Sequence, residues 1–265
     1  DGDNWELIEE WQALGGSVAD LAYYDNSLLM FVPMSGGFRP NIIKINSCFE
    51  IVEEFNFDLI DSNGEKHGYV DPSAYVFDDQ LYMAHLYTEE LGPAVDLTGC
   101  DNNYPCDKSM YIAVPKNDDF TEFEIIDNAG LTLELTGIGS GGLMGISDPD
   151  IFQLADGSFV MLVSSGSNVY AFVSDSIDEE FKVENDLLQV SKDQGGVPSG
   201  ILVDGKIWVY VNYYDYNAGG VDVIRKAVLN SIEDEPEFYT VLDGESLFGN
   251  KDIIVGSPSI LLWPW

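Results

Sequence analysis

Polar and apolar positions alternate along this chain in short runs broken by acidic turns, a rhythm of strands. Four segments share one pattern: a strand, a two-residue turn opening with Asp, then a strand apolar on nearly every position. They run from Val18 to Val32 around Asp25-Asn26, from Asp71 to His85 around Asp78-Asp79, from Asp148 to Val163 around Asp156-Gly157, and from Val197 to Val211 around Asp204-Gly205. A fifth copy opens at Ser257-Pro-Ser and stops after one strand. Such dipeptides favour the positive φ angles of tight hairpins, so the four aspartates read as turn residues. A strand apolar on both faces, such as Phe159 to Val163, must be covered on both sides.

The prolines Pro72, Pro149, Pro198 and Pro258 mark the copies at intervals of 77, 49 and 60 residues. That punctuation predicts an all-β, single-domain β-propeller over 1–265 with about five blades of four-stranded antiparallel sheets. Two weaker strands follow each hairpin, in blade one Pro40–Ser47 and Phe49–Phe57. The run from Phe49 to Phe57 matches the run from Trp5 to Ala13. Alone, residues 5–14 also fit a short amphipathic helix; the match reads them as an outer strand closing the last blade. The two middle strands of that blade are then missing. Three solutions remain open: a longer chain, a reduced blade, or a strand shared with a protein partner or a second copy.

The charge narrows the partners. Forty-seven acidic residues against eleven Lys plus Arg give −36 among 265 residues. Such a field repels nucleic acid, anionic lipid and polyanionic glycans. It reads either as halophilic or marine adaptation or as cation binding. Asp101, Asp107, Asp215 and Asp222 are the candidates for Ca²⁺, the one cofactor considered, and their spacing matches no known loop. No apolar run is long enough to insert in a membrane. The start Asp1-Gly2-Asp3 suits a processed, secreted or surface protein.

Three cysteines add little chemistry. Cys100 and Cys106 bracket a short polar loop that reads as a disulfide, with a metal pair as the alternative that lacks partner ligands. A disulfide implies an oxidising compartment. Cys48 lies in an apolar pattern and is expected to be a buried thiol.

The phrases Asp71-Pro72-Ser73 and Ser147-Asp148-Pro149-Asp150, each leading into a strand and an acidic turn, resemble blade starts in five-bladed glycosidases. These are the arabinanases and β-xylosidases of glycoside hydrolase family 43 and, more distantly, the levansucrase and invertase group. The resemblance implies a funnel at the axis where the innermost strands begin, and neutral carbohydrate as substrate. It implies an Asp in blade one, an Asp in the Asp-Pro of blade three and a Glu just before the Pro of blade four. Asp148 fits blade three. Asp20 is the only blade-one candidate, although Val18 aligns with Asp71 and Asp148. In blade four Gly196 stands in the acid's place, with Asp193 nearby, and Asp71 has no counterpart in the family.

The catalytic candidates are therefore Asp148, Asp20 and Asp71, against the plainer reading of Asp71 and Asp148 as turn residues satisfying backbone donors. Candidate sugar contacts are His67, Arg39 and the loop tyrosines Tyr213, Tyr214 and Tyr216. His85 reads as a hydrogen-bonded core group. Two functions stay open: a glycosidase acting on a neutral polysaccharide, and a non-catalytic carbohydrate-binding or surface-adhesion propeller favoured by the missing blade-four Glu.

Overall fold

The computed structural model describes residues 5, 19–32, 41–88, 106–135, 146–182, 188–216, 220–253, 255–256 and 258–261. Four sheets follow one another along the chain, antiparallel except for one parallel pair in the second. Blade one is β1 (Asp20–Tyr24), β2 (Ser27–Val32), β3 (Asn41–Ile45) and β4 (Ile51–Asn56), paired in sequence order. Blade two holds β5 (Asp58–Ile60), β6 (Lys66–Phe77), β7 (Gln80–Thr88), β8 (Cys106–Pro115), β9 (Glu122–Ile125) and β10 (Leu131–Leu135). Its six strands depart from the expected four. The parallel β5–β9 pair and the antiparallel β8–β9 pair close β5 to β9 into a ring, leaving β10 outside.

Blade three is β11 (Ser147–Gln153), β12 (Phe159–Ser165), β13 (Asn168–Ser174) and β14 (Leu188–Ser191). Blade four is β15 (Gly196–Val203), β16 (Lys206–Asp215), β17 (Val221–Leu229) and β18 (Tyr239–Leu242), followed by the short helix α1 (Gly244–Phe248). The chain is a β-propeller.

The hairpin turns form where the acidic dipeptides stand. Asp25 and Asn26, Asp78 and Asp79, and Asp204 and Gly205 all take positive φ, as a primed turn requires. Inner strands are covered on both faces. Phe159, Met161 and Val163 of β12 pack towards blade two, while Val160 and Leu162 pack towards blade four. Leu29 and Phe31 of β2 likewise face blade two, and Leu28, Met30 and Val32 face Leu21 and Leu261.

No sheet occupies the fifth position among the described residues. The segment 258–261 stands there instead, bonded to blade four by Ile260 N–H on Ser199 Oγ at 3.1 Å and to blade one by Ser259 Oγ, which accepts the Leu21 N–H at 3.0 Å. Trp5 meets Tyr210 of blade four edge to face, with centroids 6.1 Å apart. Beside it the buried Lys226 ammonium lies 3.7 Å from the Trp208 ring centroid, a cation–π contact. Residues 6–13, expected as an outer strand, lie outside the described residues. Among the described residues no helix is long and apolar enough to cross a membrane.

Cys48 corrects the sequence reading. It is exposed in the turn between β3 and β4, where its N–H bonds to Asn46 Oδ1 at 2.9 Å. The Asn46 side chain organises a turn there, with Phe49 at positive φ, and ends the strand before Cys48.

Candidate active site

The innermost strands of blades two, three and four carry the same irregularity. The register slips between Val70 and Ser73, between Ser147 and Asp150, and between Gly196 and Ser199. Inside each slip sits an X-Pro pair, because proline has no N–H for the ladder and is tolerated at a bulge. The residue before each proline is left-handed: Asp71 at φ 50, Asp148 at φ 48 and Val197 at φ 47. Three repeats of one uncommon conformation make it a built feature of the blade start.

The bulges organise two tiers around the axis. In the deeper tier stand Asp20, Ser73, Asp150, Ser199 and Ser259, one from each blade position. Ala74 N–H donates to Asp20 at 2.7 Å, Gly200 N–H to Asp150 at 2.7 Å and Leu21 N–H to Ser259 Oγ at 3.0 Å. Ser259 Oγ–H in turn donates to Asp20. Both carboxyls are buried. Burial pushes the Asp150 carboxyl far above its ordinary range, and the charge of Asp20 adds to it. Burial also raises Asp20, against the bonds from Ser259, Ala74 and Leu21. On the side away from the blade starts these two residues top a cavity of about 580 Å³, walled by Tyr75, Phe152 and Leu202.

The outer tier stands at the end of the axis marked by the bulges, its mouth, and holds the half-buried Asp71 and Asp148. Burial first and the Asp148 charge second raise Asp71 to about 7, against an opposing pull from the Asp148 backbone. Burial raises Asp148 as well, opposed by hydroxyl donors from Ser147, at 2.6 Å, and Ser164. The structure thus joins Asp71 with Asp148 and sets Asp20 apart from them, one tier deeper, with its carboxylate taken up by the Ala74 N–H and the Ser259 hydroxyl.

Blade four carries no acid at its start, for a steric reason. A Cβ on Gly196 would lie 2.4 Å from the carbonyl oxygen of Gly166, and on Gly195 2.4 Å from that of Asn212. Asp193 does not replace it: the residue is exposed in a turn at φ 54, its N–H on Asn168.

The other candidates divide. His67 sits in the hairpin of β5 and β6 with its Nε2 3.3 Å from Asp61. Tyr213 is covered by the Arg225 guanidinium, 4.7 Å from the ring centroid. Tyr214 and Tyr216 remain outward, 45% and 80% exposed, as an edge-to-face pair with centroids 4.7 Å apart. Register places them at the mouth end of β16, beyond the Gly196–Asn212 pair. Arg39, Cys100 and Asp101 lie outside the described residues, as do the side chains of Cys106 and Asp107. Among the described residues no group of three or more acidic, His or Cys side chains is arranged for a metal ion.

His85 is buried as expected but not hydrogen-bonded. Neither ring nitrogen has a partner, and burial lowers its pKa to about 4 despite a weaker opposing pull from the Leu86 backbone. Sequence reasoning missed Asp150, Ser164, Ser259 and Arg225. Asp150 and Ser259 had a signal, since both follow a blade-start proline directly.

No family model matches the chain, and no curated protein matches it. Solved structures do. An exo-β-1,3-galactanase from Clostridium thermocellum superposes with a TM-score of 0.57 at 10% identity, over 85% of this chain and 48% of that one. A GH43 endo-arabinanase from Bacillus licheniformis gives 0.54 at 13%, over 82% and 73%. The GH43 protein BlXynB from the same species gives 0.50 at 15%, over 84% and 41%. The fold is that of the family 43 propellers. This family-43-like propeller spans less than half the length of the galactanase and of BlXynB. Identity this low carries the architecture and leaves the chemistry to the site itself.

Proposed function

We propose that this family-43-like propeller cleaves a glycosidic bond in a neutral glycan, with Asp71 as proton donor and Asp148 as the partner carboxylate. The observation that supports it most is the pairing of two carboxyls at the mouth, one of them raised to about 7 by burial and by its neighbour's charge. Glycoside hydrolysis needs one carboxyl protonated and one ionised near neutral pH, and environments that separate two acids supply both. The −36 charge favours an uncharged substrate. The exposed Tyr214–Tyr216 pair offers aromatic faces for sugar rings beside the mouth.

A second reading has its own support. A side chain is sterically excluded at Gly196, and Asp20 is sealed in the deeper tier, so two of the three acids implied by the family resemblance are not offered at the mouth. Under that reading the mouth binds glycans without cleaving them.

The test is reducing-end release from arabinan, xylan and related neutral glycans, with binding measured in parallel. Hydrolysis that falls at least about a hundredfold in Asp71→Asn and in Asp148→Asn supports the enzyme. Binding without release by the unaltered protein supports the second reading. Neither binding nor release on any neutral glycan overturns both.

A further inference from the structure

The deeper tier forms a ring with one residue from each blade position: Asp20, Ser73, Asp150, Ser199 and Ser259. Its links repeat one pattern, in which a side-chain oxygen accepts the N–H that directly follows the ring residue of the next blade. Asp20 accepts from Ala74, Asp150 from Gly200, Ser199 from Ile260 and Ser259 from Leu21, at 2.7 to 3.1 Å. Among the described residues the fifth link, from Ile151 N–H to Ser73, is not made. Ser73 is 2% exposed, and its Oγ has no hydrogen-bond partner. Ser73 and Ser199 each stand one step beyond an X-Pro bulge, so the two side chains share one axial direction.

A buried hydroxyl without a partner calls for an occupant. Its neighbours in the ring are Asp20 on one side and Asp150 on the other, both more than nine-tenths buried. These two carboxyls head the cavity of about 580 Å³, and none of the described residues lining it is Lys, Arg or His. Buried charges are paired or else neutralised by a proton. Burial pushes the Asp150 carboxyl far above its ordinary range and the charge of Asp20 adds to it; burial raises Asp20 as well. A cation held there would pair both carboxyls and satisfy Ser73 together.

The shape of the cavity selects the kind of cation. Tyr75, Phe152, Leu202 and Leu261 line it, and their partial exposure opens it to solvent. Its volume falls within the roughly 300–1,000 Å³ typical of small-molecule sites, which combine apolar walls with a few convergent polar groups. A primary ammonium carries three N–H donors on one nitrogen, matching three acceptors at adjacent ring positions. Ca²⁺ seeks about six to eight oxygens and has no use for hydrocarbon walls.

We infer that this cavity binds a primary ammonium ion with an apolar body, the ammonium donating to Asp20, Ser73 and Asp150 and the body lying along Tyr75 and Phe152. The −36 charge of the chain draws such cations in. The other titratable side chains lining the cavity are Tyr23 and Tyr75. Asp71 and Asp148 stand in the outer tier, so this site is separate from the mouth and does not rest on the glycan reading.

The experiment is calorimetric titration of the full chain near neutral pH, at physiological salt to screen the general attraction of the acidic surface. n-Hexylamine, protonated under those conditions, is expected to bind one to one, at least about tenfold more tightly than the uncharged n-hexanol. Asp150→Asn should weaken the amine by about ten- to a hundredfold and Ser73→Ala by at least about threefold. Asp148→Asn, at the mouth, should leave amine affinity unaltered. No saturable amine binding, equal affinity for amine and alcohol, or loss of amine binding in Asp148→Asn overturns the inference. Full amine affinity in Asp150→Asn or in Ser73→Ala overturns it too. If those variants do not fold, Leu202→Trp, which fills the cavity from a partly exposed wall, decides: undiminished amine affinity there removes the site. No glycan enters these measurements, so failure to bind or cleave glycans sinks the proposed function and leaves this result standing.

Discussion

Ser259 and Asp20 lie 239 residues apart and are directly bonded, the serine hydroxyl donating to the carboxylate while its oxygen accepts the Leu21 N–H. This pair joins the last described segment to the first strand. The same kind of bond crosses from blade to blade in the deeper tier, from Ala74 to Asp20, from Gly200 to Asp150 and from Ile260 to Ser199. A propeller must stop its first and last blades from separating, and here side-chain bonds to backbone do it where a shared sheet is absent among the described residues.

Ser259→Ala should therefore destabilise the protein by about 2 kcal/mol, the scale of a hydrogen bond to a charged group. Chemical denaturation checks it through a lower midpoint at unchanged slope. An unchanged midpoint would remove Ser259 from the closure.

Asp71 makes stability depend on pH. Its folded pKa, about 7, lies above the unfolded 3.8. Its contribution is therefore complete below about pH 4 and is lost as pH rises towards 7, because the unfolded chain releases the proton first. The loss is on the order of 4 kcal/mol at most. Asp71→Asn should flatten that part of a thermal-stability profile, and a slope identical to that of the unaltered protein would contradict it.

His85 acts in the opposite direction. Its folded pKa of about 4 lies below the ordinary 6.5, so stability is full above pH 6.5 and falls as pH drops towards 4. A buried imidazole with no partner also carries a desolvation penalty at every pH. His85→Phe should raise stability by about 1–3 kcal/mol at neutral pH and by more at pH 5. Thermal melts at the two pH values measure both effects; equal or lower stability at pH 5 would refute the account.

Gly196→Glu would place an acid where the family resemblance expects one, and it should fail. Its Cβ would lie 2.4 Å from backbone oxygen, so strands must move. A loss of more than about 2 kcal/mol is expected, with no gain in glycan hydrolysis. A stable and more active variant would show that the blade start can open.

Tyr216, 80% exposed, contributes little to folding. Tyr216→Ala should weaken glycan binding by about 1 kcal/mol while leaving the melting temperature unchanged. Affinity electrophoresis on neutral polysaccharides reads the first part directly, and unaltered migration would remove the tyrosine from the binding surface.

Local chemistry was legible in the sequence. Acidic dipeptides demanded tight turns, doubly apolar strands demanded cover on both faces, and the proline spacing counted the blades. Each depends on neighbours within one hairpin, so a linear reading reached them. Residues brought together from different blades could not be read this way. Asp20 and Asp71 look alike as acids near a strand start, yet one slipped register at Val70 sets Asp71 at the mouth, while Asp20 is sealed beneath by Ala74 and Ser259. The missing acid at Gly196 was visible as a letter, but its cause, the carbonyl of Gly166 in blade three, was not. Proton affinity followed the same division. The acid pair has its character from burial and from mutual charge, and both arise only when the blades close around one axis.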